Sequence, residues 1–246
     1  MSGHSHAANI AAKKAKTDAV KGKIFTKVGR EIAVAAKSNP DPETNSKLAD
    51  AIAKAKAVNM PNENIKRCIA KAAGELNGDN YEELTYEGYG PAGSAVIIKA
   101  LTDNKNRTVD YVRTAMRKHG GSLGNAGCVS FTFSTTGVIV IERTADLDED
   151  TVMEYALEAG ADDFITEDDA FVVHTSVSAF STVRKYLEDK NLTFFEAQIE
   201  MLPQNKITLS GDELAKFQRL VSALEDLDDV QNVYHNVDLP DEDEEE

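Results

Sequence analysis

The sequence predicts an α+β protein: an N-terminal three-helix domain followed by two ferredoxin-like α+β domains, one inserted in the other. Two observations carry that expectation. Apolar residues recur at helical spacing over the first 75 or so positions and then change to blocks that alternate strand and helix. The later blocks also fall into the order β-α-β-β-α-β, flanked on each side by a β-α-β remainder.

The helical region comes first. Ile24, Val28 and Ile32 recur every four residues beside Phe25, which predicts a helix over 23–37. Asp41-Pro42-Glu43 reads as a helix start, and the helix it opens carries Leu48, Ile52 and Ala55 on one face. Pro61 opens a third helix that turns Ile65, Cys68, Ile69 and Ala72 inward and stops at Gly74. Residues 4–20 are rich in Ala and Lys and hold only Ile10 and Val20 as large apolar groups. Such a segment is expected to be a mobile arm that becomes helical on binding.

Strands and helices then alternate. Ala95–Leu101 reads as a strand, Arg107–His119 as a helix stopped by Gly120-Gly121, and Cys128–Phe133 as an alternating strand. From Gly137 the pattern restarts: strand to Ile141, helix 148–159, strands 162–166 and 170–175, helix 178–190, strand 194–202. The remainder gives strand 206–209, helix 212–224 and strand 230–235. The expected domains are therefore 1–75 (helical, basic, with the arm), 80–135 plus 204–238 (discontinuous), and 136–203 (inserted and acidic). Residues 239–246 form an acidic tail; its last six residues are all Asp or Glu, a run that repels itself and is expected to be disordered.

Charge narrows the function. The 246 residues carry a net −15, but residues 1–74 hold 14 Lys/Arg against 6 Asp/Glu, and the rest hold 13 against 36. A basic segment on an acidic body points to nucleic acid. Candidate phosphate contacts are Lys13, Lys14, Lys16, Lys21, Lys23, Lys27 and Arg30. Lysines meet phosphates as point charges, release counterions and carry no base code. A second patch comprises Lys105, Arg107, Arg113, Arg117 and Lys118, with Arg113 and Arg117 one helical turn apart. Pairing with the chain's many acids is the competing role for that patch. The Tyr86-Glu87-Gly88-Tyr89-Gly90-Pro91 segment reads as a glycine-punctuated loop whose Tyr86 and Tyr89 either stack bases or cap a core. The segment 137–203 holds 4 basic and 16 acidic residues and would repel a phosphate backbone, which suits protein contact or a purely structural role.

Other classes are disfavoured. G-x-S-x-G, H-E-x-x-H and C-x-x-C are absent, so no enzyme and no cofactor is expected. Cys68 and Cys128 are isolated, and His119, His174 and His235 lack partners at metal spacing. No metal site is expected beyond an adventitious Cu(II) or Ni(II) grip at His4, should Met1 be removed. No apolar run is long enough to span a membrane, and the N-terminus lacks a secretory pattern, so a cytoplasmic protein is expected.

Several motifs in one order resemble the YebC/PmpR family of probable transcriptional regulatory proteins. They are Gly3-His4-Ser5, Ala8-Asn9-Ile10, Lys21–Lys27 (KGKIFTK), Ala57–Asn64 (AVNMPNEN), Tyr86–Pro91, Thr102–Thr108 (TDNKNRT), Ala156–Asp163 (ALEAGADD) and Leu224–Asn236 (LEDLDDVQNVYHN). The family also includes the mitochondrial translational activator of cytochrome oxidase. The resemblance implies a helical domain plus two α+β domains. It also implies a nucleic-acid-binding regulator, either a DNA-binding transcription factor or a ribosome-associated translation factor that relieves stalling on ribosomal RNA. The partners implied are nucleic acid and the transcription machinery or ribosome; the chain itself is expected to be a monomer. An acidic protein-interaction scaffold is the third reading. The chain departs from the family at His6-Ala7, where Lys-Trp is usual, and at Ala11-Ala12, where basic residues are usual; it has no Trp at all. The arm thereby lacks a stacking group and some charge.

Overall fold

The computed structural model describes residues 18–74 and 81–239, with the backbone alone at 18–20. Among these residues are seven α-helices and two four-stranded sheets. The chain divides into two compact units. One joins the segment ending at Ala73 to Thr135–Glu200; the other joins Gly74–Ser134 to Met201–Leu239.

In the first unit, helices α1 (Asp18–Ser38), α2 (Ser46–Ala57) and α3 (Asn62–Gly74) enclose a small core. Val28, Ile32 and Ala36 of α1 meet Leu48, Ala51 and Ala55 of α2, and Met60 and Ile65 close the base. The start of α2 differs from the sequence expectation. Asp41 makes a turn instead of a cap, its carboxylate accepting the Glu43 backbone N–H at 3.0 Å. The cap is Asn45, whose Oδ1 accepts from Leu48 N at 3.1 Å while its amide donates to the Ala35 and Asn39 carbonyls. Asn45 can do both because its side chain carries a donor and an acceptor, which Asp41 does not.

The same unit contains the strand-helix series β4 (Phe133–Glu142), α5 (Glu149–Ala159), β5 (Asp163–Thr166), β6 (Ala170–Thr175), α6 (Phe180–Asp189) and β7 (Phe194–Pro203). The sheet order is β5-β6-β4-β7, with β6 antiparallel to both β5 and β4. Two helices crossing over strands in this order make the ferredoxin-like arrangement. Ile139 and Ile141 of β4 and Phe171 and Val173 of β6 face Val152, Ala156, Val183 and Leu187 of the helices. Asp148 caps α5 by accepting from Thr151 N, and Gly160 ends it in the left-handed region at φ 95°. The helical segment is tied to this series by a buried ion pair. Arg184, 4% exposed, donates from Nε to Asp50 at 2.8 Å and from a terminal nitrogen to Glu188 at 2.8 Å. The Ser181 hydroxyl adds a hydrogen bond to Asp50.

The second unit holds β1 (Glu82–Tyr89), β2 (Ala95–Thr102), α4 (Lys105–Lys118), β3 (Ser122–Leu123), β8 (Ile207–Thr208), α7 (Gly211–Glu225), β9 (Val230–His235) and β10 (Val237–Asp238). The sheet order is β3-β1-β2-β9. Val96 and Ile98 of β2 face Val112 and Met116 of α4 and Phe217, Leu220 and Leu224 of α7. Ala95 and Ile97 point to the opposite face, against Val129 and Phe133.

The structure corrects three further expectations. Residues 86–89, expected as part of the 86–91 loop, belong to β1, which pairs with β2 along its whole length. Of residues 128–133, expected as a strand, only Phe133 is in one: a short 3-10 helix, Ser130–Thr132, precedes β4, which begins at Phe133. The strand expected at 206–209 shrinks to two residues that pair in parallel with β10, outside the four-stranded sheet. The arm up to residue 17 and the acidic tail from 240 lie outside the described residues. No described helix is long and apolar enough to cross a membrane.

Candidate nucleic-acid interface

Lys13, Lys14 and Lys16 lie outside the described residues. Lys21, Lys23, Lys27 and Arg30 fall on α1, whose inner face is set by Ile24, Phe25, Val28 and Ile32. Lys23, Lys27 and Arg30 are four and three residues apart, so they follow one side of the helix. Lys21 and Lys23 are exposed, whereas Lys27 and Arg30 are half-buried.

The second patch gathers on α4. Of the 13 basic residues after position 74, five (Lys105, Arg107, Arg113, Arg117 and Lys118) occupy this one helix, against a single acid, Asp110. Asn104 caps the helix by accepting from Arg107 N at 3.1 Å. Thr108, Val112 and Met116 face the core, leaving Arg113 and Arg117 exposed on the opposite side. Arg113 touches Asp110 at 3.1 Å, but both side chains are at least half exposed, so the pair is worth under about 1 kcal/mol and yields readily to a phosphate. Lys105 opens the helix and is exposed.

Arg107 does a different job. Its guanidinium donates to Asp103 at 2.8 Å and to the buried Asp229 at 3.0 Å. Thr108 Oγ1 donates to the same Asp229 carboxylate, and Asp229 O accepts from Leu101 N. The hydrogen bond to Asp229, then that to Asp103, holds Arg107 above its ordinary pKa. Arg107 therefore compensates a carboxylate 122 residues away and ties α4 to the turn before β9.

Tyr86 and Tyr89 both lie in β1, three residues apart, so the strand sends them to opposite faces of the sheet. Tyr86 is half-buried against the α4–α7 core, and burial, followed by the nearby Asp229 charge, raises its phenol pKa. Tyr89 is 43% exposed and donates its hydroxyl to Cys128 O at 3.0 Å. Glu87, 8% exposed, shares the Tyr89 face of the sheet. Its carboxylate accepts the backbone N–H groups of Gly127 (2.8 Å), Val129 (2.9 Å) and Ser130 (2.8 Å). Burial pushes the Glu87 pKa up, but the bonds from Val129, Gly127 and Ser130 together outweigh it and hold the group below its ordinary value.

Two exposed aromatics escaped the sequence reading: Tyr111 on α4, 55% exposed, and Phe131, 72% exposed. Tyr111 precedes core residue Val112, so the helical period already placed it on the flank of the basic face. Phe131 was obscured by its position between two core residues. Among the described residues, no group of three or more His, Cys, Asp or Glu could hold a metal ion.

Cations therefore cluster on α1 and on α4. The comparisons agree on the lineage. Residues 5–75 match the TACO1/YebC protein N-terminal domain, and residues 81–237 match the TACO1/YebC second and third domain. The chain belongs to this family. It is 55% identical over 241 residues to a probable transcriptional regulatory protein of Hathewaya histolytica, covering 98% of each chain. It is 57% identical over 238 residues to one from Acetivibrio thermocellus, covering 96% of this chain and 98% of that one. Among solved structures, a conserved hypothetical protein of Aquifex aeolicus shares the fold with a TM-score of 0.82 at 41% identity, covering 94% of this chain and 96% of that one.

Proposed function

We propose that the protein is a cytoplasmic, non-enzymatic regulator of gene expression that binds nucleic acid, with DNA-binding transcriptional control as the primary role. The observation that carries this reading is the placement of cations. The basic N-terminal segment and α4 concentrate positive charge on a chain whose remainder is strongly acidic. Lys23, Lys27 and Arg30 on α1 and Arg113 and Arg117 on α4 are the phosphate contacts, with the arm lysines Lys13, Lys14 and Lys16 adding to them. Arg107 serves the fold. The name carried by the relatives supports regulation. A second reading, a translation factor on ribosomal RNA, is favoured by the exposed aromatics Tyr111 and Phe131, since unpaired bases are more common in RNA.

Two measurements test this. Each arm lysine that engages a phosphate contributes roughly 0.9 to the slope of log K on log salt. The Lys13, Lys14, Lys16→Ala variant should therefore flatten that slope by about 2 to 3. An unchanged slope and affinity would remove the arm from the interface. Cross-linking in cells followed by sequencing then separates the two roles. Promoter DNA supports the first, ribosomal RNA the second, and recovery of neither overturns both.

A further inference from the structure

From His119 to Ile141 the chain has no Asp, Glu, Lys or Arg, although 28% of all its residues are charged. This stretch leaves the last turn of α4, forms β3 and continues as a loop of small residues, Gly124-Asn125-Ala126-Gly127, all exposed. The loop is held from within. Glu87 takes three of its backbone N–H groups, Tyr89 donates to Cys128 O, and Cys128 N donates to Asn125 O. Val129 (1% exposed) and Phe133 (7%) anchor it under the sheet beside Ala95 and Ile97. Between those anchors the 3-10 turn directs Phe131 outward, where it is 72% exposed.

A phenyl ring held in water by so many local bonds is preorganised for a flat apolar partner. Its chain neighbours decide which. Gly124, Asn125, Ala126, Gly127, Ser134 and Thr135 are exposed and small, and three of the six are polar, so the chain on either side of the ring adds little of the apolar area on which a protein hot spot is built. They leave room for a backbone to approach and offer nothing to repel a phosphate. The stretch begins immediately after Arg117 and Lys118. We infer that Phe131 is a stacking platform for an unpaired base of a single-stranded nucleic acid, held outward by the Glu87-anchored loop. This deepens the nucleic-acid reading and rests on it.

The test uses the full chain, labelled 12-nucleotide RNA and DNA single strands, and the DNA duplex of the same sequence, at fixed salt. Stacking on an aromatic contributes roughly 5- to 150-fold per base. Phe131→Ala should weaken single-strand binding by about that factor, leave duplex binding unchanged, and lower affinity without altering the salt slope. F131W should retain binding. Because the chain otherwise has no Trp, its single indole reports stacking directly through fluorescence quenching. A larger Phe131→Ala loss on the RNA or on the DNA single strand supports the platform and identifies which strand it holds. Wild-type binding with no loss in F131A, or an equal loss on duplex and single strand, overturns it. Failure of the wild-type chain to bind any of the three probes overturns the nucleic-acid reading itself, and the platform with it.

Discussion

Replacing Glu87 by Gln changes one oxygen to an amide nitrogen in a pocket built from donors. The best the amide can do is place its oxygen where Oε2 stood, accepting from Val129 N and Ser130 N. Its NH2 group then faces Gly127 N–H, a donor against a donor at what was a 2.8 Å bond. One charge-assisted bond is lost, worth about 1.5–3 kcal/mol, and two others weaken as the acceptor loses its charge. The expected local loss is about 2–4 kcal/mol. Hydrogen exchange at Gly127, Val129 and Ser130 reads it directly: their protection should fall roughly 30- to 1000-fold at one tenfold per 1.4 kcal/mol. The effect also depends on pH. The native carboxyl is held below its ordinary value of 4.5, so the unfolded chain takes up a proton more readily than the folded one. The Glu87 contribution is therefore full above pH 4.5 and is lost as pH falls through the lower native value. Wild-type protection should converge on that of the Gln variant in acid. Equal protection in the two proteins at neutral pH, or a difference that ignores acid, would refute the argument.

Two further outcomes are expected from the packing. Asp50→Ala leaves the buried Arg184 guanidinium with Glu188 alone, which should remove about 3 kcal/mol, near the low end for a broken buried pair. Adding Arg184→Leu should restore most of it, since no charge is then stranded; urea unfolding across the four-member cycle checks this, and no recovery counts against it. Ala92 sits at φ 54°, a left-handed conformation that a Cβ disfavours. Ala92→Gly should therefore raise stability by about 0.5 kcal/mol, read as a higher urea midpoint at unchanged slope.

Much of this architecture was legible in the order of residues. The ferredoxin-like series from β4 to β7 announces itself because each strand and helix carries its own period, caps and stops, such as Asp148 and Gly160 around α5. The concentration of positive charge on the N-terminal segment and on the helix after Asn104 is likewise a property of composition and spacing. What local pattern could not settle is where backbone donors and buried charges find partners. The alternation of residues 128–133 would put Val129, Phe131 and Phe133 on one face of a strand, yet Val129 and Phe133 are buried while Phe131 points out. Residues 128–132 form no sheet strand because Glu87, some forty residues earlier, takes the N–H groups that a neighbouring strand would have received. The strand at 82–89 forms despite its glycine and its acids: Gly88 lets the Ser122 carbonyl come closer than any Cβ would allow, and Glu87 is an anchor rather than a surface charge. Arg107 looks like a phosphate ligand beside Arg113 and Arg117, yet Asp229 engages it from 122 residues away. Periodicity and charge density are local quantities that a sequence carries outright, whereas the choice between water, phosphate and an internal partner for each polar group is made only when distant segments meet.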